Sequence, residues 1–293
     1  MPEFDSNKIV NPTYSIYQYT SQIYKIIRFK SAYKSLVLSR DENKHYDKKL
    51  DCSLSRSRSL LLAKALCNKW DWFCTFTIDQ TKYDRYSLNT WYKDFSQFIR
   101  DERKKGYSIR YLFVPEMHKD GAWHLHGFMS GDMELQTFFE YRKAGNKVKQ
   151  SLIDHGFYNW PRYQKKFGFC SFGPIRSPVR SAFYISKYIT KDNSRLVTDL
   201  GAKMFYSSVG LNVAAKAGDI YGDSSYLNEY LTQDYEFCKI GMTKVSDKLD
   251  WTFAGDLFDI PFESFSLLFD QSATKDFISD MTRLQYDQLN FDI

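Results

Sequence analysis

Two histidines one residue apart, His124 and His126, and a glutamate just upstream, Glu116, are residue types that hold a divalent cation. Whether they can act together depends on the backbone between them. Residues 109–116 and 122–129 are rich in aromatic and branched side chains, and Lys119-Asp120-Gly121 lies between them. A three-residue loop ending in glycine is a favoured hairpin connection, because glycine takes the left-handed position that closes it. With 119–121 as the loop, 118 pairs with 122, 117 with 123, and Glu116 with His124. Side chains alternate faces along a strand, so both imidazoles and the carboxylate fall on one face of the sheet. A two-residue Asp-Gly turn would set Glu116 opposite Leu125 and break the cluster. The plainer alternative is a strand carrying two half-exposed histidines.

A second constellation lies downstream. Ser177-Pro178 is a helix start, with a capping hydroxyl and proline in the first turn. From there 181–191 reads as helix. Tyr184, Lys187, Tyr188 and Lys191 stand at i, i+3, i+4 and i+7, on one face, while Ala182, Ile185 and Ile189 form an apolar docking stripe. A tyrosine hydroxyl is a nucleophile for covalent catalysis, and nearby lysines compensate the charge of its ionised form. Taken alone, the same pattern serves a solvated basic helix whose tyrosines pack their rings.

Together the two constellations resemble one family. His124-Leu125-His126 resembles the histidine–hydrophobic–histidine motif of the HUH endonucleases. Tyr184-x-x-Lys187-Tyr188-x-x-Lys191 resembles the tyrosine motif of their rolling-circle replication initiators in small phages and plasmids. Phe73-Cys74-Thr75-Phe76-Thr77 is similar to the first motif of those initiators, and 205–211 to a segment that often follows the tyrosine helix. The resemblance spans roughly residues 55–215, in the family's order. It implies a nickase that cuts single-stranded or hairpin origin DNA, with Mg2+ or Mn2+ on Glu116, His124 and His126. Tyr188 is then the first nucleophile and Tyr184 the second, with Lys187 and Lys191 assisting. Thr75 and Thr77 are expected to contact DNA. Arg56 and Arg58 stand near the start of a helix over 59–68, where a docked DNA phosphate would offset charges unfavourable to the helix dipole; a solvated entry loop is the plainer alternative. An HUH transposase or relaxase would share the site. A non-catalytic nucleic-acid-binding module would share only the charge and the aromatic rings.

Composition agrees with a nucleic-acid partner. Of the net charge of +6, residues 231–293 carry −7, from 12 acidic and 5 basic side chains, which leaves +13 on the rest. No apolar run reaches the roughly 18 residues of a membrane span, and the first residues do not read as a signal peptide. The five cysteines are scattered without a Cys-x-x-Cys pair, which suits reduced thiols in the cytoplasm of a host cell. No phosphate-binding Gly-x-x-x-x-Gly-Lys-Ser/Thr loop is present, so duplex unwinding falls to a separate helicase, and synthesis to a separate polymerase, both expected from the host.

The elements that must position these residues read as strand (70–78), helix (87–105), the hairpin, helices near 134–141 and 148–155, strand (165–175) and the tyrosine helix. That order predicts an α+β fold, a mainly antiparallel sheet with packed helices, as in HUH and Rep-type nuclease domains. Residues 1–54 read as a basic, tyrosine-rich arm with weak helical character over 21–38. The central domain is 55–215, and 216–293 is an acidic accessory region.

Overall fold

The structure, a computed structural model, describes residues 13–30, 42–118, 120–189, 203–221, 224–234, 238–245 and 262–264. Along the chain run β1 (Tyr14–Gln18), β2 (Ile23–Phe29), α1 (Glu42–Leu66), β3 (Trp72–Thr77), α2 (Leu88–Lys104), β4 (Arg110–Met117) and β5 (Trp123–Ser130). There follow β6 (Gln136–Thr137), α3 (Phe138–Lys143), α4 (Gln150–Asp154), β7 (Tyr158–Asn159), α5 (Pro161–Lys166), β8 (Cys170–Pro174) and α6 (Pro178–Ser186). The last elements are β9 (Tyr206–Ser207), β10 (Ala215–Ile220), a 3₁₀ turn over Ser225–Tyr230, β11 (Gln233–Asp234), β12 (Cys238–Val245) and β13 (Phe262–Ser264). The fold is α+β, with antiparallel sheets and packed helices.

The described residues fall into two compact units, 42–212 and the pair of segments 13–30 and 213–264. In the first, an antiparallel sheet runs β6-β7-β8-β3-β5-β4-β9. Its alternation separates two faces. Cys74, Phe76, Phe113 and Phe172 point to one side, where Phe76 meets Phe95 of α2 and Tyr163 of α5, with ring centroids 6.1 and 4.6 Å away. On the opposite side Phe73 meets Tyr184 of α6 edge-on at 5.7 Å, and α1 packs against α6. Every residue of β5 is therefore buried, because both of its faces are covered.

Several elements differ from the sequence expectation, each for a local reason. The helix expected over 59–68 is the end of a longer α1, whose polar first half offers no apolar stripe to read. The helix expected from 134 starts at Phe138, where Thr137 accepts from the Glu140 amide and the Glu140 side chain reaches back to Thr137, a capping box. Helix α5, with Pro161 in its first turn, occupies the start of the strand expected over 165–175.

In the second unit the sheet runs β10-β1-β2-β12-β11, with β13 paired to β12. Tyr14 and Ile26 bury against Leu227 and Tyr230 of the 3₁₀ turn. Asn228 Oδ1 accepts from Tyr14 Oη at 3.1 Å and from Arg28 Nη1 at 2.9 Å. The expected arm over 1–54 and acidic region over 216–293 thus contribute neighbouring strands to one sheet, and 23–29, given weak helical character from sequence, is the strand β2.

Candidate functional site

The hairpin sets the first half of the site. His118 N donates to Ala122 O and Gly121 N to His118 O, both at 2.9 Å, and Gly121 takes φ +86°. This closes a three-residue loop, of which Lys119 lies outside the described residues. Glu116 pairs with His124 and Met117 with Trp123, as the loop length predicts. On the other side of β5, Thr77 pairs with His124 and Thr75 with His126. Two rows of side chains therefore cross three strands on one sheet face: Thr77–His124–Glu116 and Thr75–His126–Val114.

Within those rows the carboxylate reaches diagonally. Glu116 Oε2 lies 2.7 Å from His126 Nε2, while the His124 ring packs on His118, with centroids 3.9 Å apart. Both imidazoles are buried, and their other nitrogens face hydroxyls: His126 Nδ1 is 3.1 Å from Thr75 Oγ1 and His124 Nδ1 is 3.4 Å from Thr77 Oγ1. Burial pushes the His124 pKa down to about 2, and electrostatic repulsion from the neighbouring His118, His126 and Arg85 adds to that, so this ring is neutral. For Glu116, burial works to raise the pKa, but the His126 hydrogen bond and the charges of His126, His118 and Lys187 outweigh it and hold the carboxyl below its usual value.

The tyrosine segment supplies the other half. Ser177 Oγ accepts from the Arg180 amide and Pro178 opens α6, as the sequence indicates. The α-helix ends at Ser186, however, earlier than the expected 191. The next turn tightens to i→i+3 bonds, with Lys187 N on Tyr184 O, Tyr188 N on Ile185 O and Ile189 N on Ser186 O, at 3.2–3.3 Å. Arg58 Nε of α1 donates to Ile189 O at 2.6 Å and so caps that turn. Tyr184 and Tyr188, 4% and 6% exposed, are still brought side by side. Tyr188 Oη donates to Tyr184 Oη at 2.8 Å, and the Tyr188 ring stacks on His126, centroids 5.2 Å apart and 14° from parallel.

Lys187 completes the contact. Its Nζ lies 4.0 Å from the Tyr184 ring centroid and 4.8 Å from that of Tyr188. Much of the side chain is exposed, but crowding around the amine lowers its pKa, an effect that the Glu116 charge opposes. Lys191 lies outside the described residues. Arg56 is exposed on α1, and Arg58 is engaged with Ile189. The geometry adds two residues that sequence reading did not place here. Arg85, from the loop before α2, pairs with Asp120 at 3.0 Å and acts on His124 through its charge; nothing in its local sequence marks it. His118 shares the strand parity of Glu116, which is the signal the sequence offers for it, and its ring lies against His124.

Among the described residues, no group of three or more His, Cys, Asp or Glu side chains is arranged to hold a metal ion. Glu116 and His126 instead bind each other, with His124 one row along. The donor chemistry is still that of a divalent cation site: a carboxylate and an imidazole nitrogen already in contact, a neutral second imidazole beside them, and both rings backed by hydroxyls on their far nitrogens.

Residues 71–193 match the family described as Replication-associated protein ORF2/G2P. The match contains the hairpin and both tyrosines, and it fits a rolling-circle Rep-type protein. No curated protein and no solved structure matches the chain. Among the described residues no helix is long and apolar enough to cross a membrane.

Proposed function

We propose that this protein initiates rolling-circle replication by nicking single-stranded or hairpin origin DNA through tyrosine transesterification. The observation that carries this reading is the stacking of Tyr188 on His126, with Tyr184 hydrogen-bonded to it, inside a stretch similar to replication-associated proteins. A nucleophile and a candidate cation ligand in ring contact are what phosphodiester cleavage needs together.

Glu116, His124 and His126 would hold Mg2+ or Mn2+, which when bound supplies Lewis-acid polarisation of the scissile phosphate. The Tyr188 oxygen attacks phosphorus and a P–O bond forms as the bond to the departing 3′ oxygen breaks. The phenolic proton passes to solvent and the 3′ oxygen takes one up. The products are a 5′-phosphotyrosine link and a free 3′-OH, which primes synthesis by a separate polymerase. A tyrosine of ordinary pKa near 10 is scarcely ionised at neutral pH. The Tyr184 hydroxyl, by turning to donate to the Tyr188 phenolate, and Lys187, over both rings, favour its ionised form. Tyr184, a turn earlier, then attacks the regenerated junction, so that the two tyrosines alternate.

The test uses purified protein, Mn2+ and labelled single-stranded oligonucleotides tiling the encoding replicon, separated on a denaturing gel. A covalent protein–DNA adduct is expected from the wild type, reduced at least about 100-fold in Tyr188→Phe and lost in Tyr184→Phe/Tyr188→Phe, since removal of the nucleophile leaves only residual catalysis. Cleavage without any adduct would indicate a metal hydrolase. Binding to the replicon's DNA with neither cleavage nor adduct would sink the proposal.

A further inference from the structure

We infer that Thr75 and Thr77 are positioning residues for the histidine pair, holding each imidazole so that its Nε2 faces the cation, and are not themselves contacts to DNA. The inference rests on the reading of Glu116, His124 and His126 as a cation site. Both threonines lie on β3, two residues apart and hence on one face, and each is the direct cross-strand partner of one histidine. The hydroxyls meet Nδ1 of the two rings, at 3.1 Å for Thr75 and a longer 3.4 Å for Thr77. The register alone brings the rows together; the hydrogen bonds then choose which edge of each ring points away from β3.

Strand propensity alone does not explain the hydroxyls. Thr75 is 9% exposed, and valine, of the same shape, suits such a strand position equally well. A buried hydroxyl costs on the order of 1–3 kcal/mol unless it is hydrogen-bonded, and the imidazole nitrogen is a partner that offsets this. A hydroxyl also has a property that a carbonyl or carboxylate lacks. It donates or accepts by rotating its proton, so it stays paired with Nδ1 in either ring tautomer. When Nε2 of His126 carries the proton and binds Glu116, Thr75 donates to Nδ1. When Nε2 gives its lone pair to a cation, the proton sits on Nδ1 and Thr75 accepts it. The ring keeps its place in either tautomer. Partners of this kind, one step behind the ligands, typically change metal affinity by about 10–100-fold.

The shorter contact predicts the larger effect. Thr75→Val should weaken Mn2+ binding, read by electron paramagnetic resonance of free Mn2+, by about 10–100-fold, and Thr77→Val by less. Thr75→Ser, which restores the hydroxyl, should return the affinity to within about threefold of wild type, a rescue that a packing role would not give. In metal-free protein, the His126 ring-nitrogen NMR shifts should move in Thr75→Val and stay in Thr75→Ser. Affinity for single-stranded DNA in EDTA should be the same in all variants. Wild type that binds Mn2+ with broadening of the His124 and His126 ring signals, beside a Thr75→Val variant that binds equally tightly, overturns this inference alone. So does a variant that loses DNA affinity in EDTA while keeping Mn2+. Wild type whose ring signals ignore Mn2+ removes the cation site beneath the inference as well.

Discussion

His124 is buried among positive charge, and that has a measurable consequence. Its pKa falls from the usual 6.5 to about 2, through burial first and then through His118, His126 and Arg85. In the folded protein the ring stays neutral, while in the unfolded chain it takes up a proton near pH 6.5. Its contribution to stability is whole above pH 6.5 and is lost as the pH falls towards 2, because only the unfolded state gains the proton. Between pH 6.5 and 5 the loss is about 2 kcal/mol. Glu116 acts in a lower window: its depressed pKa contributes stability above the ordinary carboxylate value of about 4.5, lost as the pH falls through the folded value. In EDTA, the unfolding midpoint in urea should therefore drop across pH 6.5–5 in the wild type and drop much less in His124→Asn. An equal slope in both proteins would show that another group protonates on unfolding.

At the scale of single elements, the hairpin depends on close approach as well as on register. Gly127 follows His126 on β5, and a Cβ there would run into Leu112 O and come within 2.9 Å of Phe113 Cα, both backbone atoms of β4. Neither can swing aside as a side-chain tip could. Gly127→Ala should separate β4 from β5, cost about 1–3 kcal/mol and draw Glu116 away from His126. An unchanged urea midpoint would mean that the strands already part freely. The sequence made this hairpin legible because its signal is local: a loop of defined length, a glycine at its end and alternating side chains. Helix α2 was equally legible, with Trp91, Phe95, Phe98 and Ile99 along its buried face. The tyrosine helix was read correctly at its capped start and too long at its end. Its last turn is held by Arg58 from α1, more than a hundred residues away, and spacing alone cannot report such a cap. The same distance hides the roles of Thr75 and Thr77, whose partners are visible only once β3 lies beside β5.

At the scale of the whole molecule, the second unit joins strands that sequence order keeps about two hundred residues apart. Tyr14 of β1 pairs with Ile220 of β10, and Ile26 of β2 lies between Ile16 of β1 and Gly241 of β12. No local periodicity announces such pairing, so a weakly patterned beginning and an acidic end read as separate appendages. Ile26 is 1% exposed and central to that sheet, packed with Tyr14, Leu227 and Tyr230. A carboxylate there would be buried without a partner, a change that belongs to the most damaging class and costs more than about 3 kcal/mol. Ile26→Asp should abolish amide hydrogen-exchange protection in 14–29, 215–220 and 238–245 together, because a sheet that loses its middle strand loses its neighbours' hydrogen bonds too. Protection in 72–130, where the histidine hairpin has its own core, should persist. Loss confined to 23–29 would show that these strands do not fold as one body. Loss across 72–130 as well would show that the two units unfold together rather than each on its own core.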